Sequence, residues 1–128
     1  MSVSPRKPLN VDHLILPVTN LEEAREAAEI LMAKGVGTVI VTLGENGALY
    51  HSPTQSVHVP VFDAGAVVET TGAGDAFNGG FATALAEGKD PVDAVRFGCA
   101  TASISVTRPG TAPSMPARAE IEALLAKA

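Results

Sequence analysis

The stretch Thr70-Thr71-Gly72-Ala73-Gly74-Asp75 is the most informative feature of the chain. Its two glycines, one residue apart, allow a sharp turn that side chains would obstruct. The run that follows, Ala76-Phe77-Asn78-Gly79-Gly80-Phe81-Ala82, has an amphipathic helical pattern. A turn of this kind converges several backbone N–H groups at a helix start, where the dipole favours negative charge. Asp75 falls in the first helical turn. The N–H groups suit anionic phosphate oxygens and the carboxylate suits a hydroxyl proton, so the arrangement fits phosphoryl transfer to a hydroxyl. The same residues also have an architectural reading, in which the glycines serve tight packing and Asp75 is a favourable first-turn acid.

The pattern on either side is α/β. Residues 11–16 are short and apolar and read as a strand. Residues 21–34 place Leu21, Ala24, Ala27, Ala28 and Leu31 at helical spacing, and Gly35 fits a helix C-terminus. Residues 38–43 are β-branched and continuously apolar, as expected of a central parallel strand. A turn at 44–47 precedes strands at 48–51 and 57–62, and 67–68 suggest a brief strand before the glycine turn. Helices are predicted over 74–87, 91–106 and 117–127. Gly88 stops the first of these, and Asp90-Pro91 starts the second with cap and first-position chemistry. Parallel and antiparallel pairs are both expected.

At 128 residues the chain is expected to form one domain with a packed core. That core must come from Val, Ile, Leu and Ala, since hydrophobic content is 46% and aromatic content only 4%. A net charge of -5 without a basic cluster argues against nucleic acid as a partner. No apolar run approaches the ~20 residues that span a bilayer, so no membrane role is expected. With no signal peptide and a single Cys99, the expected setting is cytoplasmic and reducing. Cys99 reads as a small core residue, and His13, His51 and His58 lack the paired spacing of a zinc site. A P-loop is excluded because no Lys-Ser or Lys-Thr pair follows Gly74. A dinucleotide fingerprint would need a third glycine where Phe77 stands.

The stretch 70–75 resembles the second signature of the ribokinase-like (PfkB) carbohydrate kinases, Asp-Thr-Thr-Gly-Ala-Gly-Asp, with Glu69 in place of its first Asp. Val41-Thr42-Leu43-Gly44-Glu45-Asn46-Gly47-Ala48 resembles that family's nucleotide-binding strand and turn. Ser105-Val106-Thr107-Arg108-Pro109-Gly110-Thr111-Ala112-Pro113-Ser114 resembles the segment closing its nucleotide and monovalent-cation sites. All three agree in order and spacing. The resemblance implies a ribokinase-like three-layer αβα sandwich, here only its C-terminal half. The di-glycine signature, most sugar contacts and the β-lid of the family's first half have no counterpart. A natural truncation, an excised fragment and a designed minimal domain all remain open readings.

By the same resemblance, Asp75 would take the proton from a sugar hydroxyl, and the N–H groups of Gly72, Ala73 and Gly74 would form the anion hole. Thr42, Gly44 and Gly47 would line the ATP or ADP site. Glu69, Thr71, Ser105, Arg108, Gly110 and Ser114 fall where the family holds a monovalent cation such as K+, largely through carbonyl oxygens. Glu69 bears on that cation site because its longer side chain moves the carboxylate by about one bond. The residues also have plainer readings. Thr70 and Thr71 can satisfy helix N–H donors, Arg108-Pro109-Gly110 can be a helix-ending turn, and Gly44 and Gly47 can simply turn the chain. The family's Asn-x-x-Glu element for Mg2+ and phosphate has the spacing of Asn20 and Glu23 here, but these read better as a helix cap. A ribose-like sugar would bind only with the N-terminal half supplied. Apolar surface left by a halved domain favours a homodimer or other homo-oligomer. The competing reading is a non-enzymatic folding and self-association unit.

Overall fold

The computed structural model describes residues 13–17, 20–70, 72–109 and 116–127, and divides into two compact units with the boundary after His58. The first unit begins β1 (His13–Pro17), α1 (Leu21–Ala33) and β2 (Thr38–Thr42), with β1 and β2 parallel. A parallel pair needs a crossover, and α1 supplies it. Asn20 caps α1 by accepting the Glu23 N–H at 2.8 Å, and its side-chain amide also reaches the Glu23 carboxylate. Both residues thus serve the helix end, as the cap reading expected.

A single 3-10 turn (Gly44–Asn46) leads from β2 into the antiparallel β3 (Ala48–His51), and β4 (Ser56–Val59) completes the sheet order β1-β2-β3-β4. Alternation along β2 sorts its side chains. Val39 and Val41 join Ala24 and Ala28 of α1, with Val36, Leu43 and Leu49, in one buried cluster that the partly buried Leu21, Leu31 and Met32 cover. Ile40 points to the opposite face, opposite Tyr50, and both are buried as well. Continuous burial along β2 explains its unbroken apolar sequence.

The second unit contains α2 (Ala73–Ala86), α3 (Pro91–Ser105) and α4 (Arg118–Lys127). Small residues let α2 and α3 approach closely. A Cβ added to Gly80 would stand 2.4 Å from Thr101 Oγ1, and one added to Gly98 would stand 2.9 Å from the Phe77 ring. Phe77 and Phe81 stack along α2 with centroids 6.1 Å apart, while Ala76, Ala84, Ala94, Val95 and Ala100 are buried. Gly88 ends α2 at φ +86° and donates its N–H to the Leu85 carbonyl, and Asp90 caps α3 through the Val92 N–H. Buried hydroxyls on α3 turn back onto their own helix, Thr101 to the Phe97 carbonyl and Ser103 to the Cys99 carbonyl, each at 2.7 Å. Cys99 is a core residue whose thiol burial pushes up to about 12. On α4, Arg118 pairs with Glu87 and lies over the Phe97 ring, 5.5 Å from its centroid.

Two sequence expectations need correction. The strand predicted to reach residue 62 stops at Val59, and 67–68 form no strand. Backbone groups beyond Val59 are satisfied differently: the Phe62 N–H donates to Ser103 Oγ, and the Val68 and Glu69 N–H groups both donate to the Val106 carbonyl. The segment docks on the end of α3, which a propensity for extended conformation cannot distinguish from strand pairing. Among the described residues, no helix is long and apolar enough to cross a membrane.

Candidate active site

The turn into α2 is made by Gly72, the N-cap residue, in the left-handed conformation at φ 89° and ψ -3°. That conformation requires glycine, and it leaves the helix start without a side-chain cap. The reading of Thr70 as a capping side chain is not what forms here. Its carbonyl accepts the Ala73 N–H at 3.1 Å, and the Gly72 carbonyl accepts that of Ala76 at 2.9 Å. Gly74 is exposed, and a Cβ built on it would have no heavy atom within 4 Å. Its lack of a side chain therefore answers no packing need. Asp75 is exposed in the same first turn.

The candidate cation residues partly converge. Through the paired N–H groups of Val68 and Glu69, at 2.7 Å and 3.1 Å from the Val106 carbonyl, Glu69 is drawn to the end of α3 beside Ser105. The chain then turns, with the Arg108 N–H on the Ser105 carbonyl at 3.1 Å and Thr107 Oγ1 on the Ile104 carbonyl at 2.6 Å. The Arg108 guanidinium turns to Glu120 on α4 and bonds both of its carboxylate oxygens. Hydrogen bonding to Arg108, then the Ala117 N–H, holds the Glu120 carboxyl below its ordinary range, and Arg108 is raised in turn by the bond to Glu120. Thus the Arg108 side chain ties the turn after α3 to α4, and only its backbone carbonyl suits a cation. The Val106 carbonyl already accepts two donors. Thr71, Gly110 and Ser114 lie outside the described residues. Among the described residues no group of three His, Cys, Asp or Glu side chains is placed to hold a metal ion.

In the first unit, Thr42 closes β2 and the glycine turn follows. Gly44 is exposed at φ 58° with open space beside its Cα, whereas Gly47 is buried at φ 88°. The turn closes on itself: the Leu43 N–H donates to the Gly47 carbonyl at 2.8 Å, and the Gly47 N–H to the Gly44 carbonyl at 3.2 Å. His58 Nε2 rests 2.6 Å from the Asn46 carbonyl and braces the turn from β4. Sequence reading missed one polar cluster altogether, formed by Arg25, Glu29, His51 and Ser56. Its members come from three elements, so no local spacing marks it.

Residues 10–118 match the pfkB family carbohydrate kinase family. The chain is 44% identical over 103 residues to a ribokinase of Haemophilus influenzae, covering 80% of this chain and 33% of that protein. It is also 44% identical over 101 residues to a deoxyribokinase of Salmonella typhi, covering 79% of this chain and 33% of that one. The structure superposes on that of Arabidopsis thaliana ribokinase complexed with ribose and ATP, with a TM-score of 0.82 at 32% identity, over 89% of this chain and 40% of the other. The protein belongs to the pfkB family of carbohydrate kinases and has the α/β ribokinase fold. It spans about a third of the length of the curated relatives it matches.

Proposed function

We propose that this chain is the nucleotide and phosphate side of an ATP-dependent sugar kinase, acting as one nucleotide-binding domain. The observation that carries the reading is the start of α2. Gly72 gives up a capping side chain, and Gly74 leaves room that no protein atom fills. An anionic phosphate suits that room, held by the N–H groups of Gly72 and Gly74, and by that of Ala73 once it leaves the Thr70 carbonyl to which it donates at 3.1 Å. Asp75, in the same turn, is the general base that takes the proton from the sugar hydroxyl as the phosphoryl group moves. Thr42, Gly44 and Gly47 line the nucleotide site.

Magnesium, in this reading, would arrive with ATP. A monovalent cation such as K+ would take carbonyl oxygens around Glu69, Ser105 and Arg108, together with Thr71, Gly110 and Ser114. The sugar is ribose-like and binds only with the family's sugar-binding half supplied, in line with the match to a ribokinase. Because phosphoryl transfer rests on positioning and charge stabilisation, turnover requires the family's sugar-binding half, and the chain alone binds ATP or ADP without turnover. We place it in the cytoplasm, as a homo-oligomer through Val61, Val67 and Val68, which are 45%, 65% and 62% exposed.

Calorimetric titration of the purified chain with ATP, in magnesium and potassium, tests the reading. Saturable heat is expected, and Gly74→Leu should weaken affinity by about tenfold or more while the fold stands, because the added side chain enters the phosphate's space. No heat at millimolar ATP would instead support the second reading, a folding and self-association unit derived from a kinase. That alternative draws on the self-closed turn at 44–47, whose glycines serve the chain's own geometry.

A further inference from the structure

In the first unit, four polar side chains from three elements meet, none of them part of either glycine turn. Arg25 and Glu29 lie one turn apart on α1, His51 ends β3 and Ser56 opens β4. The Arg25 Nη1 donates to Ser56 Oγ at 2.7 Å. The same Oγ lies 3.0 Å from His51 Nδ1, and His51 Nε2 lies 3.5 Å from Glu29 Oε1. One assignment uses every group. A guanidinium only donates, so Oγ accepts from Arg25; in the tautomer that carries its proton on Nε2, His51 accepts the Ser56 proton at Nδ1 and faces Glu29 with the Nε2–H. Oγ then keeps one lone pair for an incoming electrophile.

We propose that Ser56 is a nucleophilic hydroxyl that takes acyl groups from activated esters, with His51 as its base. Glu29 orients the imidazole, and Arg25 faces the negative charge that develops on oxygen. The accessibility is right for this role: Ser56 is exposed to a donor, while the His51 side chain is only 13% exposed and therefore held. In the reaction, an Oγ lone pair bonds to the acyl carbon and the hydroxyl proton passes to His51 Nδ1. The carbonyl π pair moves onto oxygen as an oxyanion beside Arg25. Its collapse breaks the ester C–O bond, releasing the leaving group and acylated Ser56, and His51 then returns its proton to solvent.

The same loop contains its own controls. Ser52 and Thr54 share a hydroxyl–hydroxyl contact at 3.4 Å, and Ser52 Oγ also bonds the Gln55 carbonyl at 3.3 Å. Neither contact supplies a base, so both hydroxyls should react as ordinary alcohols. A cluster that merely tied α1 to the β3–β4 edge would leave Ser56 no more reactive than they are.

The test is treatment of the whole chain with p-nitrophenyl acetate near neutral pH, with the acetyl group located by fragment mass spectrometry. Ser56 should be acetylated well ahead of Ser52 and Thr54. His51→Gln, which keeps a polar group beside Oγ but removes the base, should slow Ser56 acetylation by about 100-fold. Glu29→Gln alters a side chain that is 71% exposed, and should slow it by about fivefold without disturbing the fold. Equal acetylation of Ser56, Ser52 and Thr54, or an unchanged Ser56 rate in His51→Gln, overturns the proposal. If His51→Gln loses its helical circular dichroism, the Glu29→Gln rate decides: slower supports the proposal and unchanged overturns it. The cluster shares no residue with the turn at 72–74, so neither outcome bears on nucleotide binding.

Discussion

The two glycine turns of this chain look alike in sequence and differ in how their backbone groups are used. Around Gly44–Gly47 the N–H and carbonyl groups close on one another, His58 braces the loop, and Gly47 is buried. At Gly72–Gly74 the chain enters a helix with no side-chain cap, and the second glycine faces open space. A buried glycine at positive φ is explained by its own backbone. An exposed glycine in ordinary helical conformation, with nothing near it, is not, and that contrast directs attention to the start of α2.

Changes that strike at this contrast should differ widely in size. In a kinase rebuilt with a complementing sugar-binding half, Asp75→Asn should lower turnover by about 100-fold to 10,000-fold with little change in nucleotide affinity. Near-normal turnover in a steady-state assay would take Asp75 out of the chemistry and leave both turns architectural. Gly80→Val should destabilise the second unit by about 1–3 kcal/mol in urea unfolding, since its side chain would overlap Thr101. An unchanged midpoint would mean that α2 is not held in register by that contact.

Smaller effects separate the turns themselves. Gly47→Ala should cost about 1–2 kcal/mol, because a Cβ is strained at φ 88°. Gly74→Ala should do the reverse and stabilise α2 by about 0.5–1 kcal/mol, as alanine is the better helix former and meets no neighbour. Paired urea curves that moved in the same direction would erase the distinction. The smallest effect concerns pH. The Glu120 carboxyl is lowered in the folded protein by Arg108. Its contribution is therefore present above the ordinary glutamate range and lost as pH falls through the lowered folded value. Both partners are partly exposed, so the change should be slight, and Glu120→Gln should abolish that part of the acid dependence of the urea midpoint.

Much of the fold was legible locally. The helices over 73–86 and 91–105 begin and end within a residue or so of where Gly88, Asp90 and Pro91 direct, since caps act through the nearest backbone groups. Asn20 and Glu23 were readable for the same reason. Residues 60–70 were not. Val67 and Val68 have strand-forming side chains, yet their segment bonds to Val106 at the far end of α3, a partner that no local propensity specifies. The destination of the Arg108 side chain was no more legible, because its partner Glu120 lies 12 residues away on another helix.

By itself, then, the sequence determined the α/β order, the helix ends, the glycine turn that opens α2 and the carboxylate in that helix's first turn. All of these depend on contacts within a few residues. Tertiary structure alone decided how Gly80 and Gly98 let α2 and α3 meet, and how Arg25, Glu29, His51 and Ser56 come together. Those outcomes depend on where distant backbone and side-chain groups end up once apolar faces are buried, and burial acts without regard to sequence separation.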